Sequence, residues 1–299
     1  MGELSYCIVD VFTAAPLQGN PLAVVMDTVG LTTERMQAIA REFNLSETTF
    51  VVRRAEEVER AEGVRVRIFT TQEELNFAGH PTLGTASVLK REMRDAIQPH
   101  TVTLALNVGP VPVRFEDPQG GAGSLFGEMT QRDPEFGEEL DAGEVARLVG
   151  LRPEDLDLAL PPQVVSTGTA FAIVALKSAD ALAGLKVDVE AATRWLRARG
   201  ARWFYVLGPT GAEQPAWRAR MQFHGGEDPA TGSAAGCAIA YLVGRGAVGS
   251  GERIHLRQGV EIGRTSDLFL AARKRNATVT DVRVAGSTVL VAMGRLFLP

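Results

Sequence analysis

Apolar and polar positions along this chain follow two periods, and the places where one gives way to the other mark out the elements. Residues 5–12 put Tyr6 and Ile8 on one face and Val9 and Val11 on the other, which reads as a strand. A loop carrying Pro16 and Gly19 follows, then a second apolar run from Leu22 to Met26. Met36, Ile39, Ala40 and Phe43 recur at helical spacing over 32–43, with Thr32 or Thr33 as N-cap. The β-branched run 48–52 predicts a strand, and Val64, Val66 and Ile68 alternate with Arg65 and Arg67 in another. Residues 101–106 and 108–115 read as a strand pair. The Gly-rich segment 117–127 is a candidate linker, and equally a loop inside one domain. Beyond it the pattern predicts helices over 141–149 and 188–199. Strands are predicted over 163–176 (around Gly168), 203–207 and 216–223, and several more over 253–297, with turns at Gly263 and Gly286.

Two stretches stand apart from this alternation. Phe77-Ala78-Gly79-His80-Pro81-Thr82-Leu83-Gly84 and Gly226-Glu227-Asp228-Pro229-Ala230-Thr231-Gly232-Ser233 are polar, glycine-bearing turns that run straight into helical patterns. The first helix carries Leu83, Ala86, Val88 and Leu89 and ends near Arg94. The second carries Ala234, Ala238, Ile239, Leu242 and Val243 and stops at Gly244 and Gly246. A helix that opens in this way leaves backbone N–H groups unpaired at the positive end of its dipole. That is an anion site. Two of them predict a small acidic ligand held between two helix starts.

The halves also repeat. Gly19-Asn-Pro-Leu-Ala-Val-Val sits against Gly168-Thr-Ala-Phe-Ala-Ile-Val at an offset of 168 − 19 = 149. Phe50-Val51-Val52 sits against Tyr205-Val206-Leu207 at 205 − 50 = 155, and Gly79 against Gly232 at 232 − 79 = 153. A shared order of strand, helix, strand, strand and Gly-led helix predicts a duplicated unit, each half a curved sheet around its own apolar helix.

Composition narrows the function. A chain of 299 residues fits one large domain or two of about 150. A net charge of −5 offers no basic footprint for nucleic acid. The two cysteines, Cys7 and Cys237, make no disulfide framework, and both sit in apolar patterns that read as core. His100, His224 and His255 lack metal-ligand spacing, so no metal is expected. No glycine-rich phosphate-binding pattern follows a strand. No apolar run is long enough for a membrane span, and residues 1–15 carry no leader pattern, so the expected location is cytoplasmic.

Gly19-Asn20-Pro21-Leu22-Ala23-Val24-Val25, Ser46-Glu47-Thr48, the turn 77–84, the turn 226–234, and then Gln258-Gly259 and Gly263-Arg264 together resemble the phenazine-biosynthesis PhzF-like family. The resemblance covers nearly the whole chain. It implies the α/β (α+β) fold of diaminopimelate epimerase, with two pseudo-symmetric halves, each a barrel-like sheet around a central helix. The expected division is 1–118, completed by a returning strand at about 286–299, and 119–285. The resemblance further implies an isomerase that needs no cofactor, a homodimer, and a site between the halves that moves a proton within a small carboxylate-bearing metabolite. The best-known reaction of the family isomerises trans-2,3-dihydro-3-hydroxyanthranilate. Its acid/base glutamate falls on Glu47, its histidine on His80, its aspartate on Asp228 and its serine on Ser233. Asn20, Gly79, Thr231 and Gly232 are the substrate-binding candidates. Asn76 and Thr265 stand where the family often has proline, and Asn76 bears on the rim of the site.

Chemistry gives these positions meaning. Moving a proton from carbon and back needs a carboxylate whose pKa lies nearer the working pH than that of an exposed glutamate. His80 reads as a neutral ring that shuttles a proton or donates a hydrogen bond, or as a helix cap. Asp228, held extended before Pro229, could bind an amine or hydroxyl, orient Glu47 or His80, or cap its helix. Ser233 and Thr231 flank Gly232, where a ligand can approach the backbone closely. Related epimerases use two facing cysteines, which would fall near Ala78 and Thr231. An epimerase or racemase that works without thiols therefore stays open, as does a binding protein without catalysis.

Overall fold

The computed structural model describes residues 2–92, 100–116, 123–212, 214–224 and 226–298. It divides into two compact units, Met1–Thr130 with Ala285–Pro299, and Gln131–Val284.

The first unit runs β1 (Gly2–Val11), β2 (Asn20–Val25), α1 (Thr33–Phe43), β3 (Glu47–Val52), α2 (Glu56–Glu62), β4 (Val64–Phe69), β5 (Glu74–Leu75), α3 (Gly79–Glu92), β6 (Thr101–Leu106), β7 (Gly109–Phe115) and β8 (Ser124–Thr130). Thr32 caps α1, its side chain accepting from the Arg35 amide, and Asn44 ends the helix in the left-handed conformation. The apolar stripe of α1, Met36, Ile39 and Ala40, packs with Val25, Phe50 and Phe69. Its strands lie in the order β1-β2-β3-β4-β6-β7-β8, with β5 paired to β4. The last strand of the chain, numbered below, lies beside β8 and pairs back onto β1 from Gly2↔Leu298 to Val11↔Thr288, which closes the ring.

At the centre stands α3. Every residue from Gly79 to Leu89 is buried, and the helix packs against β1, β2, β3, β6, β7 and β8. A helix enclosed on all sides cannot carry a charged face, which is why residues 79–89 are small, apolar or able to stay uncharged, and why Lys90, Arg91 and Glu92 come only at its end. Close approach needs Gly84, because a Cβ there would stand 2.6 Å from Leu22 Cδ2 and 2.8 Å from Val11 Cγ2.

The second unit runs β9 (Glu135–Glu139), α4 (Ala142–Val149), β10 (Gln163–Ser166), β11 (Ala170–Ala175), α5 (Val189–Arg197), β12 (Trp203–Pro209), β13 (Trp217–Arg220), β14 (Gln222–Phe223), β15 (Gly226–Glu227), α6 (Gly232–Arg245), β16 (Ile254–Gln258), β17 (Ser266–Arg275) and β18 (Thr278–Leu298), which continues into the first unit. Its sheet order is β17-β16-β13-β12-β11-β10-β9. The repeat seen in the sequence is a repeat of ladders. β2–β3 and β4–β6 are parallel, as are β11–β12 and β13–β16, while β1–β2, β3–β4 and β6–β7 are antiparallel, as are β10–β11, β12–β13 and β16–β17. The helices α3 and α6 are 14 residues each.

Three expectations change. Residues 163–176 form a hairpin rather than one strand, turning at Gly168 with φ +133. Gly286 makes no turn, because β18 runs straight through it and the reversal falls at Asn276, φ +55. Of the candidate linker, 124–127 belong to β8 and 117–122 lie outside the described residues.

Candidate active site

In the first unit the sequence candidates meet at the start of α3. The β2–β3 ladder pairs Leu22 with Glu47, so Asn20 and Glu47 open two adjacent strands. Pro21 and Pro81 each fix the chain direction next to a site residue. Gly19, φ +68, holds the turn before Asn20, and a Cβ there would meet Val11 O at 2.3 Å. Glu47 Oε2 lies 3.4 Å from His80 Nε2, with the two side chains 16% and 5% exposed. The other ring nitrogen, Nδ1, lies 3.2 Å from Asn20 Nδ2. Below this layer Thr49 and Thr85 join hydroxyls at 2.8 Å, and Thr82 bonds back to Ala78 O at 2.7 Å, so the opening turn of α3 is tied to β3 and to itself.

Burial pushes the His80 pKa down to about 3. A ring so placed is neutral at physiological pH. The two thiols are held as inert side chains. Burial pushes Cys237 up to about 11, and burial with the nearby Glu92 raises Cys7.

The second unit gathers Asp228, Thr231, Gln258 and Tyr205 at the start of α6. Thr231 donates its hydroxyl to Asp228 Oδ2 at 2.6 Å. Gln258, fully buried, closes the arrangement with both ends of its amide. Its oxygen accepts from the Thr231 backbone N–H at 3.1 Å and from the Tyr205 hydroxyl at 3.0 Å. Its nitrogen donates to Asp228 O at 2.8 Å and to Thr231 Oγ1 at 3.0 Å. An amide nitrogen only donates, so the Thr231 hydroxyl must spend its own hydrogen on the aspartate. Thr231 is also the N-cap residue of α6, and its side chain caps no amide. The N-cap position itself thus falls on Thr231, three residues after Asp228. Ser233 lies half-buried in the first turn of α6, and the Gly232 carbonyl accepts from Gln131 Nε2 at 2.9 Å.

A buried ion pair anchors the turn that carries Asp228. Arg220 meets Glu227 in a two-pronged contact, Nε–Oε1 2.9 Å and Nη2–Oε2 2.6 Å, and donates a third hydrogen to Leu182 O at 2.6 Å. Arg220, Glu227, Gln131 and Gln258 were not among the site candidates. For Gln258 the sequence does hold a signal, since it takes the inward position that Ile254 and Leu256 hold in the alternation of β16. A polar residue on a buried face demands partners.

Gly259 follows at φ +77, where an added Cβ would stand 2.3 Å from Arg264 O and 2.7 Å from Pro229 O. Both neighbours are backbone and cannot swing aside. Gly259→Ala is expected to destabilise the protein by about 2–4 kcal/mol, read from denaturant unfolding. A loss below about 0.5 kcal/mol would mean that the turn relaxes freely.

Among the described residues, no group of three or more His, Cys, Asp and Glu side chains is placed to hold a metal, and no helix is long and apolar enough to cross a membrane.

Compared with known proteins, residues 9–294 match the family model described as phenazine biosynthesis-like protein. The trans-2,3-dihydro-3-hydroxyanthranilate isomerase of Pseudomonas aeruginosa is 36% identical over 296 residues, 98% of this chain and 99% of that one. A phenazine biosynthesis protein of the PhzF family from Bacillus anthracis superposes with a TM-score of 0.87 at 27% identity over 100% of both chains. A structure from Pseudomonas aeruginosa, described as a predicted epimerase, gives 0.83 at 35% identity over 99% of this chain and 100% of that one.

Proposed function

Because the chain belongs to the phenazine-biosynthesis PhzF-like family, an isomerase family, we propose that it is a cofactor-independent isomerase that moves a proton within a small carboxylate-bearing metabolite. The observation that carries the reading is the pairing of Glu47 with a neutral, buried His80 at 3.4 Å. In this reading Glu47 takes a proton from one substrate carbon and returns it to another, and His80 holds the carboxylate in place. Asp228 and Ser233 are the candidates for binding polar groups of a ligand, and the first-turn amides at Gly79 and at Gly232 are each a positive helix end that favours a carboxylate. Trans-2,3-dihydro-3-hydroxyanthranilate, the substrate in the name of the Pseudomonas relative, is the first compound to try. The reading extends to a cytoplasmic homodimer, and light scattering on the purified protein tests the dimer.

The similarity to the structure described as an epimerase favours a second reading, inversion at one carbon. Turnover in heavy water separates the two. The isomerase places deuterium on a new carbon and shifts a double bond. The epimerase labels the carbon that it inverts and leaves the skeleton unchanged. A protein that binds without catalysis labels nothing, and unlabelled substrate across a panel of small unsaturated acids would end the enzymatic proposal.

A further inference from the structure

The contacts of His80 hold more than a distance. Its two ring nitrogens face different chemistry, both within the first unit. Nδ1 faces the nitrogen of the Asn20 amide at 3.2 Å, and Nε2 faces a carboxylate oxygen of Glu47 at 3.4 Å. An amide NH2 is a donor without an acceptor lone pair, so Nδ1 must offer its lone pair to it. A neutral imidazole carries a single hydrogen, and that hydrogen then sits on Nε2, toward Glu47.

We infer that Asn20 is a positioning residue that holds His80 in the neutral tautomer with its hydrogen on Nε2, so that the ring turns an N–H rather than a lone pair toward the Glu47 carboxylate, 3.4 Å away. The inference rests on the reading of Glu47 as the base and gives Asn20 a place in it other than substrate binding. The tautomer decides which form of Glu47 the site supports. A hydrogen on Nε2 favours the ionised carboxylate, ready to accept a proton. A lone pair there would instead accept from the protonated acid and favour a glutamate that has nothing to take up.

The surrounding structure suits this role. Asn20 is fully buried and His80 nearly so, and the amide is held at the mouth of β2 by the tight turn at Gly19 and by the pairing of Asn20 with Val11. Sixty residues separate donor and ring. A surface asparagine would exchange its bond with water. This one is enclosed, where the choice of tautomer carries its full electrostatic weight.

The test is the 15N spectrum of the imidazole rings in histidine-labelled full-length protein near neutral pH, with the His80 signal assigned by its loss in His80→Gln. The expected pattern is a bare Nδ1 and a protonated Nε2. A proton on Nδ1 in the unaltered protein overturns the inference, and this readout needs neither a variant nor a substrate. Asn20→Asp replaces the donor by an acceptor and is expected to move a proton onto Nδ1. In deuterium exchange with trans-2,3-dihydro-3-hydroxyanthranilate it should lower kcat by roughly 10²-fold or more with KM nearly unchanged. Full turnover in a variant whose ring has switched would also refute the role. An unaltered protein that shows the expected tautomer but exchanges nothing across the panel of small unsaturated acids would sink the isomerase reading while leaving the tautomer assignment standing.

Discussion

Glu47→Gln is expected to cut turnover by about 10²–10⁴-fold while ligand affinity stays within a few-fold. The substitution keeps the length and shape of the side chain and removes its capacity to take up a proton. Glu47 opens β3 beside Thr48 and Thr49, both buried, and its carboxylate lies against His80. Glutamine can turn its amide oxygen toward the ring as the carboxylate does, so the local packing is expected to survive. The measurement is single-turnover deuterium exchange into substrate, with affinity read separately by calorimetry. Equal loss in kcat and kcat/KM is the signature of a group that acts in the transition state. Exchange at the unaltered rate would remove Glu47 from the chemistry.

The second large effect is on acid stability. In an unfolded chain the His80 ring titrates near its ordinary value of 6.5, whereas burial in the folded protein holds it down to about 3. The folded state therefore resists a proton that the unfolded state accepts. Stability from this group is complete above about pH 6.5 and drains away as pH falls toward 3, at about 1.4 kcal/mol per pH unit. The whole window amounts to roughly 4–5 kcal/mol. His80→Gln removes the titration, so its unfolding free energy should fall less steeply with acid than that of the unaltered protein. Denaturant unfolding at several pH values between about 6.5 and 3 reads the difference, because the carboxylates remote from His80 cancel between the two proteins, and the double variant with Glu47→Gln removes the one that does not. Parallel curves would mean that the ring takes up its proton in the folded state as easily as in solution.

The candidate site shows where sequence reading succeeds and where it stops. Local chemistry is legible. The turns 77–84 and 226–234 announce helix starts because glycine, proline and small residues have few other uses in that order. The duplication shows because each half repeats that order. Partnership is not legible. That the amide of Asn20, a substrate-binding candidate, also lies against His80 is not written in any local pattern. Nor is it written for Thr231, another candidate, that its hydroxyl is directed to Asp228 by a glutamine 27 residues further on.

For this protein the sequence by itself determined what is periodic or local, namely strands whose alternation marks a buried face, helix caps such as Thr32, and two glycine-led helices too apolar for any surface. Tertiary structure decided what depends on a partner distant along the chain. It turned 163–176 into a hairpin at Gly168, because a continuous run of β-branched and small residues carries no period that marks its own fold-back. It ran β18 through Gly286, because that stretch leads straight into the ladder to β1, which begins at Thr288, and Ser287 is already held there by the Thr13 N–H, where glycine alone suggests a bend. It also set what faces each nitrogen of the His80 ring, the Asn20 amide on one side and the Glu47 carboxylate on the other, a neighbourhood that no local pattern announces.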